Sequence, residues 1–443
     1  MDVKQLKQKK VSAISLGCDK NKVDLEKILF NIKNFGMEVV PNIEDANIII
    51  VNTCAFITPA INEAIENIFL AESMKNALCE KVIVTGCLPA RYKEELNNIF
   101  TNVDAIIDVK DNDKIIEVIK TLFNVNCKYE YKNGRLLTNS NHYSFLKIAD
   151  GCDNGCAYCT IPRIRGRYKS IPIDALIKEA KELSSKGVKE LILVAQDVTR
   201  YGIDIYNENK LVELIKELSK IKNINWIRLH YCYPEMVDTK LLDEINNNPK
   251  VCKYIDIPFQ HIDNEILKQM NRKSSEEQLR NLVSLLHNNY PNISVRSTFI
   301  VGFPGETKKQ FNKLLNFLED AKLNNVGFFP YYREEKTKAY FMKKQISTFI
   351  KKRRLKKAQK VQEKVMNAIN INKIGSREMV IIDKFDTNIN KYIARTQGNS
   401  PEVDFEVLID STHELKIGEF YMVKLNNYLA PYFEGEVTNE FTK

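Results

Sequence analysis

No apolar run in the 443-residue chain approaches the ~20 residues that a membrane span needs, which excludes a transmembrane helix. There is no internal repeat and no low-complexity tract, so solenoid arrays and tethering linkers are not indicated. The start, Met1 to Lys10, is basic, and the stretch after it, Val11-Ser-Ala-Ile-Ser-Leu16, is too short for a signal-peptide apolar region and reads as a strand. The expected location is therefore the cytoplasm. Thiols are kept reduced there, so ten cysteines are not a disulfide framework; metal or redox chemistry is the better reading. At 44% hydrophobic and 28% charged residues the chain reads as soluble and globular, and its length calls for two or three domains. The net charge of +9 points only weakly to an acidic partner such as RNA, because lysine-rich surfaces also serve solubility.

Strands and helices alternate from Val11 to Val125. Strands are expected at Val11–Leu16, Asn47–Val51, Lys81–Thr85 and Ala105–Val109. Helices are expected at Val23–Phe35, at Pro59–Ala71 with Thr58 as N-cap, from near Pro89, and at Asp111–Phe123. This pattern predicts a parallel sheet covered on both faces, an α/β domain over residues 1–125. A polar connector, about Asn126 to Asn141, follows. Six further strand–helix units then predict a partial or full β/α barrel over 142–372, with strands near Tyr143–Ile148, Glu190–Val194, Trp226–Leu229, Tyr254–Ile257, Val295–Ile300 and Val326–Pro330. That region ends in a long basic helix bearing Lys351-Lys-Arg-Arg354. From Ser376 to Lys443 short alternating strands with Gly, Asn and Pro turns predict a small all-β barrel.

The chemistry is concentrated in Gly151-Cys152-Asp-Asn-Gly-Cys156-Ala-Tyr158-Cys159, a Cys-x3-Cys-x2-Cys directly after a strand. Three thiolates on a four-iron cubane leave one iron open to a ligand. Structural zinc wants a fourth ligand in paired short spacings, and no Cys or His nearby supplies one. The spacing resembles the radical-SAM superfamily. That resemblance implies that the open iron chelates S-adenosylmethionine, that reduction cleaves it to a 5′-deoxyadenosyl radical, and that Tyr158 lies against the adenine. Thr298-Phe-Ile-Val-Gly302-Phe-Pro-Gly305-Glu306, after the fifth barrel strand, is a second match; its glycines permit close backbone approach to the cofactor. Gln196-Asp197, His230-Tyr231 and Gln260-His261 also follow barrel strands, at the ends where active sites gather, and Gln196 is a further candidate for cofactor binding.

Cys18, Cys54 and Cys87 each fall just beyond a strand of the first domain, so a parallel sheet brings them to one edge. Three buried apolar-type cysteines are the competing reading. Cys79 and Cys127 lack this placement and read as free thiols; Cys232 reads as structural. Two three-cysteine sites followed by a small β-barrel resemble the methylthiotransferases from about Val11 to Val437, the last segment being similar to their TRAM domain. The resemblance implies two 4Fe–4S clusters, with S-adenosylmethionine as both methyl donor and radical source, and a low-potential electron donor.

Two branches of the family differ in substrate: one modifies a tRNA adenosine, the other the β-carbon of an aspartate in ribosomal protein S12. Ser15–Asp24, Ala195-Gln-Asp-Val-Thr-Arg-Tyr-Gly202, Arg228-Leu-His-Tyr231, Asp256-Ile-Pro-Phe-Gln-His261 and Ala394-Arg-Thr-Gln-Gly-Asn-Ser-Pro-Glu-Val-Asp404 resemble the second branch. Asp19, Ile171 and Lys336 depart from its pattern, standing for the usual Pro, Arg and Gly. Charge agrees with the protein substrate: residues 376–443 hold seven Lys/Arg against twelve Asp/Glu, a net of −5, whereas an RNA-binding module should be basic. The 351–357 run is an expected solvated helix face, with a ribosomal RNA contact as its alternative. The expected partner is S12, free or in the small subunit, and the expected state a monomer.

Overall fold

In the computed structural model, which describes residues 1–138, 140–411 and 413–440, Ile48–Thr53 is buried throughout, as the middle strand of a covered parallel sheet must be. Asn139 of the connector, and Thr412 and 441–443 of the C-terminal segment, lie outside the described residues. The sheet runs Glu38–Val39, Lys10–Ser15, Ile48–Thr53, Lys81–Gly86, Ala105–Ile106, all parallel. Alternation along the middle strand divides the core. Ile48 and Ile50 join Val11, Ile83, Leu25, Ile28 and Ile32 on one face, while Ile49 and Val51 join Val84, Ala64, Ile68 and Leu96 on the other. Each such aliphatic side chain contributes roughly 1.5–3 kcal/mol on burial. The order of this doubly wound sheet reverses between Lys10–Ser15 and Ile48–Thr53, and such sheets bind ligands beyond the carboxyl ends beside that reversal.

The chain divides into two compact units. The first comprises Met1–Asn139, Asp150–Lys169 and Glu334–Thr337; the second comprises Ser140–Ala149, Ser170–Arg333 and Lys338–Lys443. The first unit corrects two details of the sequence reading and adds a third. The helix expected to start at Pro59 spans Thr58–Ser73 with Ile57 as its N-cap, so Thr58 is not the cap. Instead, the Thr58 N–H and hydroxyl both donate to the Glu334 carboxylate, at 2.6 and 2.8 Å, so a remote acid satisfies the helix start. The expected helix Asp111–Phe123 is a 3-10 segment, Val109–Lys114, opened by the Asp108 side chain on the Lys110 N–H, and then an α-helix, Ile115–Leu122. The connector is polar but pinned: Arg135 is buried against Glu26, and the Tyr129 hydroxyl donates to the Asn31 side chain at 2.8 Å.

In the second unit six parallel strands follow chain order in two three-stranded sheets, Tyr143–Lys147, Glu190–Val194, Trp226–Leu229 and Tyr254–Asp256, Ser294–Val301, Asn325–Pro330. An isolated parallel bridge, Ile227 to Val251, lies at the seam. Among the described residues no ladder joins the first strand to the last, so the barrel is partial. Residues Arg377–Asp386, Lys391–Thr396, Val407–Asp410, Tyr432–Glu440 and Phe420–Leu429 close a five-stranded barrel. Helix Thr348–Ile371 carries the basic run, but only part of that run is solvated. Lys352, Arg353, Lys356 and Lys357 are exposed, whereas Lys351 Nζ donates to the Tyr331 carbonyl at 2.7 Å and Arg354 to the Glu306 carbonyl at 2.9 Å. No helix among the described residues is long and apolar enough to cross a membrane.

Candidate iron–sulfur sites

Three strand ends of the first sheet deliver the first set of thiols. Cys18 is the N-cap residue of helix Asp19–Phe35, Cys54 follows Ile48–Thr53, and Cys87 opens helix Cys87–Ile99. Glycine is required beside two of them. Gly17 has φ +91°, and a Cβ there would lie 2.7 Å from Cys54 Cβ and 3.0 Å from its Sγ; Gly86 has φ +98°, and a Cβ there would lie 2.4 Å from the Thr53 carbonyl. Asn21 anchors the group: its side-chain amide donates to the Leu16 and Thr53 carbonyls at 3.1 and 2.9 Å, and its Oδ1 accepts from Cys87 Sγ at 3.4 Å. Burial pushes the Cys54 thiol up, and Cys18 adds to the effect. Burial pushes Cys87 up to about 12; Arg165 opposes this, while Cys18 and Cys54 add to it. These thiols therefore feel one another, and a bound cation would reverse the balance and release their protons.

The donor chemistry fits an iron–sulfur cluster. All ten cysteines are free thiols. Three thiols at one sheet edge, beside turns where Gly17 and Gly86 carry no side chain, match the donor set of a cubane, in which each thiolate binds a different iron.

The second set, Cys152, Cys156 and Cys159, lies in the same compact unit. Its loop is tied at the base by the Cys152 N–H on the Gly166 carbonyl at 3.1 Å, and inside by the Cys159 N–H on the Cys156 carbonyl at 3.1 Å. The Asn154 N–H points at Cys152 Sγ, 3.5 Å away. Cys152 and Cys156 are buried; Cys159 and Tyr158 are half-buried.

The remaining expected cofactor residues belong to the second unit. Gln196 is half-buried just after strand Glu190–Val194. Gly302 (φ +74°) and Gly305 (φ +84°) shape the turn after Ser294–Val301. The buried Glu306 turns into that turn: its carboxylate accepts from the Gly302 N–H and pairs with Arg354 at 3.1 Å, with His261 Nε2 at 3.8 Å. Tyr231 (φ +60°) and Gln260 (φ +68°), just beyond their strands, hold left-handed backbones that cost of order 1–3 kcal/mol each, and the Asp256 carboxylate accepts the Tyr231 N–H at 3.1 Å. Cys79 and Cys232 are buried, Cys79 donating to the Lys81 carbonyl at 3.4 Å.

The Radical SAM superfamily model matches residues 146–318, the Uncharacterized protein family UPF0004 model residues 10–108, and the TRAM domain model residues 374–437. A protein of Clostridium acetobutylicum named ribosomal protein uS12 methylthiotransferase RimO is 42% identical, with 98% of this chain and 99% of that one covered. The chain belongs to the RimO methylthiotransferase family. A RimO of Thermoanaerobacter is also 42% identical, over 95% of this chain and 98% of its own. Solved structures share the fold: the radical S-adenosylmethionine methyltransferase TsrM of Kitasatospora setae has a TM-score of 0.55 at 14% identity, covering 72% of this chain and 73% of its own. The cobalamin-dependent radical enzyme OxsB has a TM-score of 0.52 at 13% identity, covering 82% of this chain and 57% of its own.

This RimO-family chain also holds residues that motif reading passed over. Arg165, in helix Ile161–Arg165 after Cys159, is buried among Asn21, Asp24, Cys87 and Asp150. Burial opposes its charge, and Asp24 and Asp150 more than offset that, so the guanidinium stays protonated. Arg91 and Glu334 form a buried pair at 3.1 Å, and Arg91 also donates to the Ala55 carbonyl next to Cys54. Both arginines stand within a few residues of a candidate ligand cysteine, which is the only sequence signal they give. Of the three departures from the branch pattern, Asp19 opens the helix after Cys18, where an acid suits the N-terminal dipole as well as Pro suits its geometry. Lys336, in place of Gly, has φ +63°, the conformation that explains why glycine is usual there. Ile171 keeps a backbone hydrogen bond to the Ile148 carbonyl at 2.9 Å, and nothing in the structure explains the loss of the arginine side chain.

Proposed function

We propose that this chain methylthiolates the β-carbon of an aspartate in ribosomal protein S12. The observation that carries the reading is the pair of three-thiol sites built into one compact unit of a chain that matches RimO proteins along nearly its whole length. The reaction replaces an unactivated C–H by C–S–CH3. A carbon next to a carboxylate is a poor acid, so general-base removal of its proton is not a practical route, and hydrogen-atom abstraction is. Two 4Fe–4S clusters and S-adenosylmethionine would supply the electron, the methyl group, the sulfur and the hydrogen-atom abstraction that no side chain can provide.

The protein's own share is placement and exclusion of water. Cys18, Cys54 and Cys87 would hold the cluster that carries the sulfur, and the tight turns at Gly17 and Gly86 leave room for it. Cys152, Cys156 and Cys159 would hold the cluster that binds S-adenosylmethionine, with Tyr158 against the adenine. Gly302 and Gly305 would present backbone to the rest of that cofactor, Glu306 holding their turn closed, and Gln196 would add a side-chain contact. The barrel segment's net charge of −5 suits a basic ribosomal protein better than RNA phosphates. In this reading the enzyme works in the cytoplasm as a monomer and takes electrons from a low-potential donor; the exposed lysines of the basic helix are a solvated face.

Mass analysis of S12 and of tRNA nucleosides from cells lacking the gene tests the substrate. S12 without its methylthio group alongside unchanged tRNA is the expected result. Unchanged S12 with tRNA adenosine lacking the group overturns it.

A further inference from the structure

One residue links Cys87 of the first triad to the entry of the loop that carries the second. Arg165 comes from the segment that follows Cys159, yet its guanidinium reaches the elements that carry the other triad. Nη2 donates to Asn21 Oδ1 at 2.5 Å, stands 2.9 Å from Asp24 Oδ2 and points at Cys87 Sγ, 3.9 Å away. Nη1 donates to Asp150 Oδ2 at 2.9 Å, while Asp150 Oδ1 accepts from the Gly151 N–H at 2.9 Å, immediately before Cys152. Asn21 and Asp24 lie in the helix that Cys18 caps. One buried planar fork therefore fixes the entry to the Cys152 loop, the helix after Cys18, and the sulfur of Cys87.

We propose that Arg165 is the positioning residue that ties the two cysteine sites together and raises the electron affinity of the cluster held by Cys18, Cys54 and Cys87. The physical argument is short. A hydrogen bond from a cation to a ligating sulfur withdraws electron density, and in a site closed to water that effect is not screened; hydrogen bonds to sulfur and local charge are among the levers that set cluster potentials. A guanidinium cannot lose its charge in a protein, and its fork can serve a thiolate and two carboxylates at once, which an ammonium cannot. Asp24 and Asp150 hold the fork in place from opposite sides.

The inference rests on the two-cluster reading above, and the test separates the two. The full chain is reconstituted anaerobically and titrated electrochemically, with paramagnetic resonance as the readout; the signal of interest is the one absent from a Cys18→Ala/Cys54→Ala/Cys87→Ala variant. Arg165→Met is expected to lower the midpoint of that signal, so that at a fixed potential the oxidised-to-reduced ratio rises tenfold or more, about 59 mV for one electron. Arg165→Lys is expected to shift it the same way by less. A wild-type midpoint in Arg165→Met at wild-type iron content overturns the proposal. If Arg165→Met fails to hold iron, an unshifted midpoint in Arg165→Lys overturns it. If wild type and the triple-cysteine variant give the same iron count and spectrum, the second cluster itself is wrong, and the proposal falls with it.

Discussion

Two buried arginine clusters, one in each compact unit, use the same chemistry to different ends. In the second unit Glu190 sits between Arg228 at 2.7 Å and Arg395 at 2.8 Å, and Arg395 forks onto Asp383 at 2.5 and 2.9 Å. Asp383 also meets His142 Nε2 at 2.7 Å, and Arg228 donates to the Gln397 carbonyl at 2.7 Å. Every charge there meets an opposite charge or a backbone dipole, and the network joins the six-stranded barrel to the five-stranded one. In the first unit Arg165 meets two carboxylates but is also aimed at a thiol that would be a cluster ligand. Closed, such a network is a staple. Open on one side, it acts on whatever the thiol binds.

That contrast can be broken by substitution. Removing one partner of a buried pair leaves a stranded charge, typically at a cost of about 3–5 kcal/mol. Arg395→Met should therefore lower stability by that amount in denaturant unfolding and leave the iron content at its wild-type level. A loss of iron there would mean that the staple and the cluster sites are not separate. Glu334→Ala strands Arg91 and uncaps the helix at Thr58, so a loss of similar size is expected, this time with impaired iron uptake because Arg91 also braces the chain beside Cys54.

The pH dependence sharpens the staple side. Burial alone would raise Asp383, but Arg395 and His142 hold its carboxyl below the usual range. A depressed folded value means that its stabilisation is fully present above the unfolded value, about 3.9, and is lost as pH falls through the lower folded value. The stability difference between wild type and Asp383→Asn should thus persist down to about pH 4.5 and shrink below about pH 4. A difference that vanishes already at pH 6 would contradict this. The smallest effect is expected at Lys336. Its left-handed backbone costs about 1–2 kcal/mol, and glycine's extra chain entropy returns most of that, so Lys336→Gly should stabilise by less than about 1 kcal/mol in thermal unfolding.

The cysteines and the sheet were legible because their signals are local. Ile48-Ile-Ile-Val51 can only be a buried strand, and a thiol one or two residues past such a strand must lie at the sheet's carboxyl edge. What escaped was long-range. No window around Thr58 reveals that Glu334 will cap its helix, and Arg165 looks like one more arginine in a basic stretch until the fold sets it among Asn21, Asp24 and Cys87. The basic helix was only half legible for the same reason: Lys351 and Arg354 turn inward because Tyr331 and Glu306 offer carbonyls there, which composition does not register.

The central claim is that this chain holds two clusters, one on each triad. Anaerobic iron and sulfide analysis of wild type, Cys18→Ala and Cys152→Ala tests it most directly. The account predicts about eight irons per wild-type chain and about four in each variant. A wild-type chain with about four irons, or either variant with the wild-type count, would contradict it.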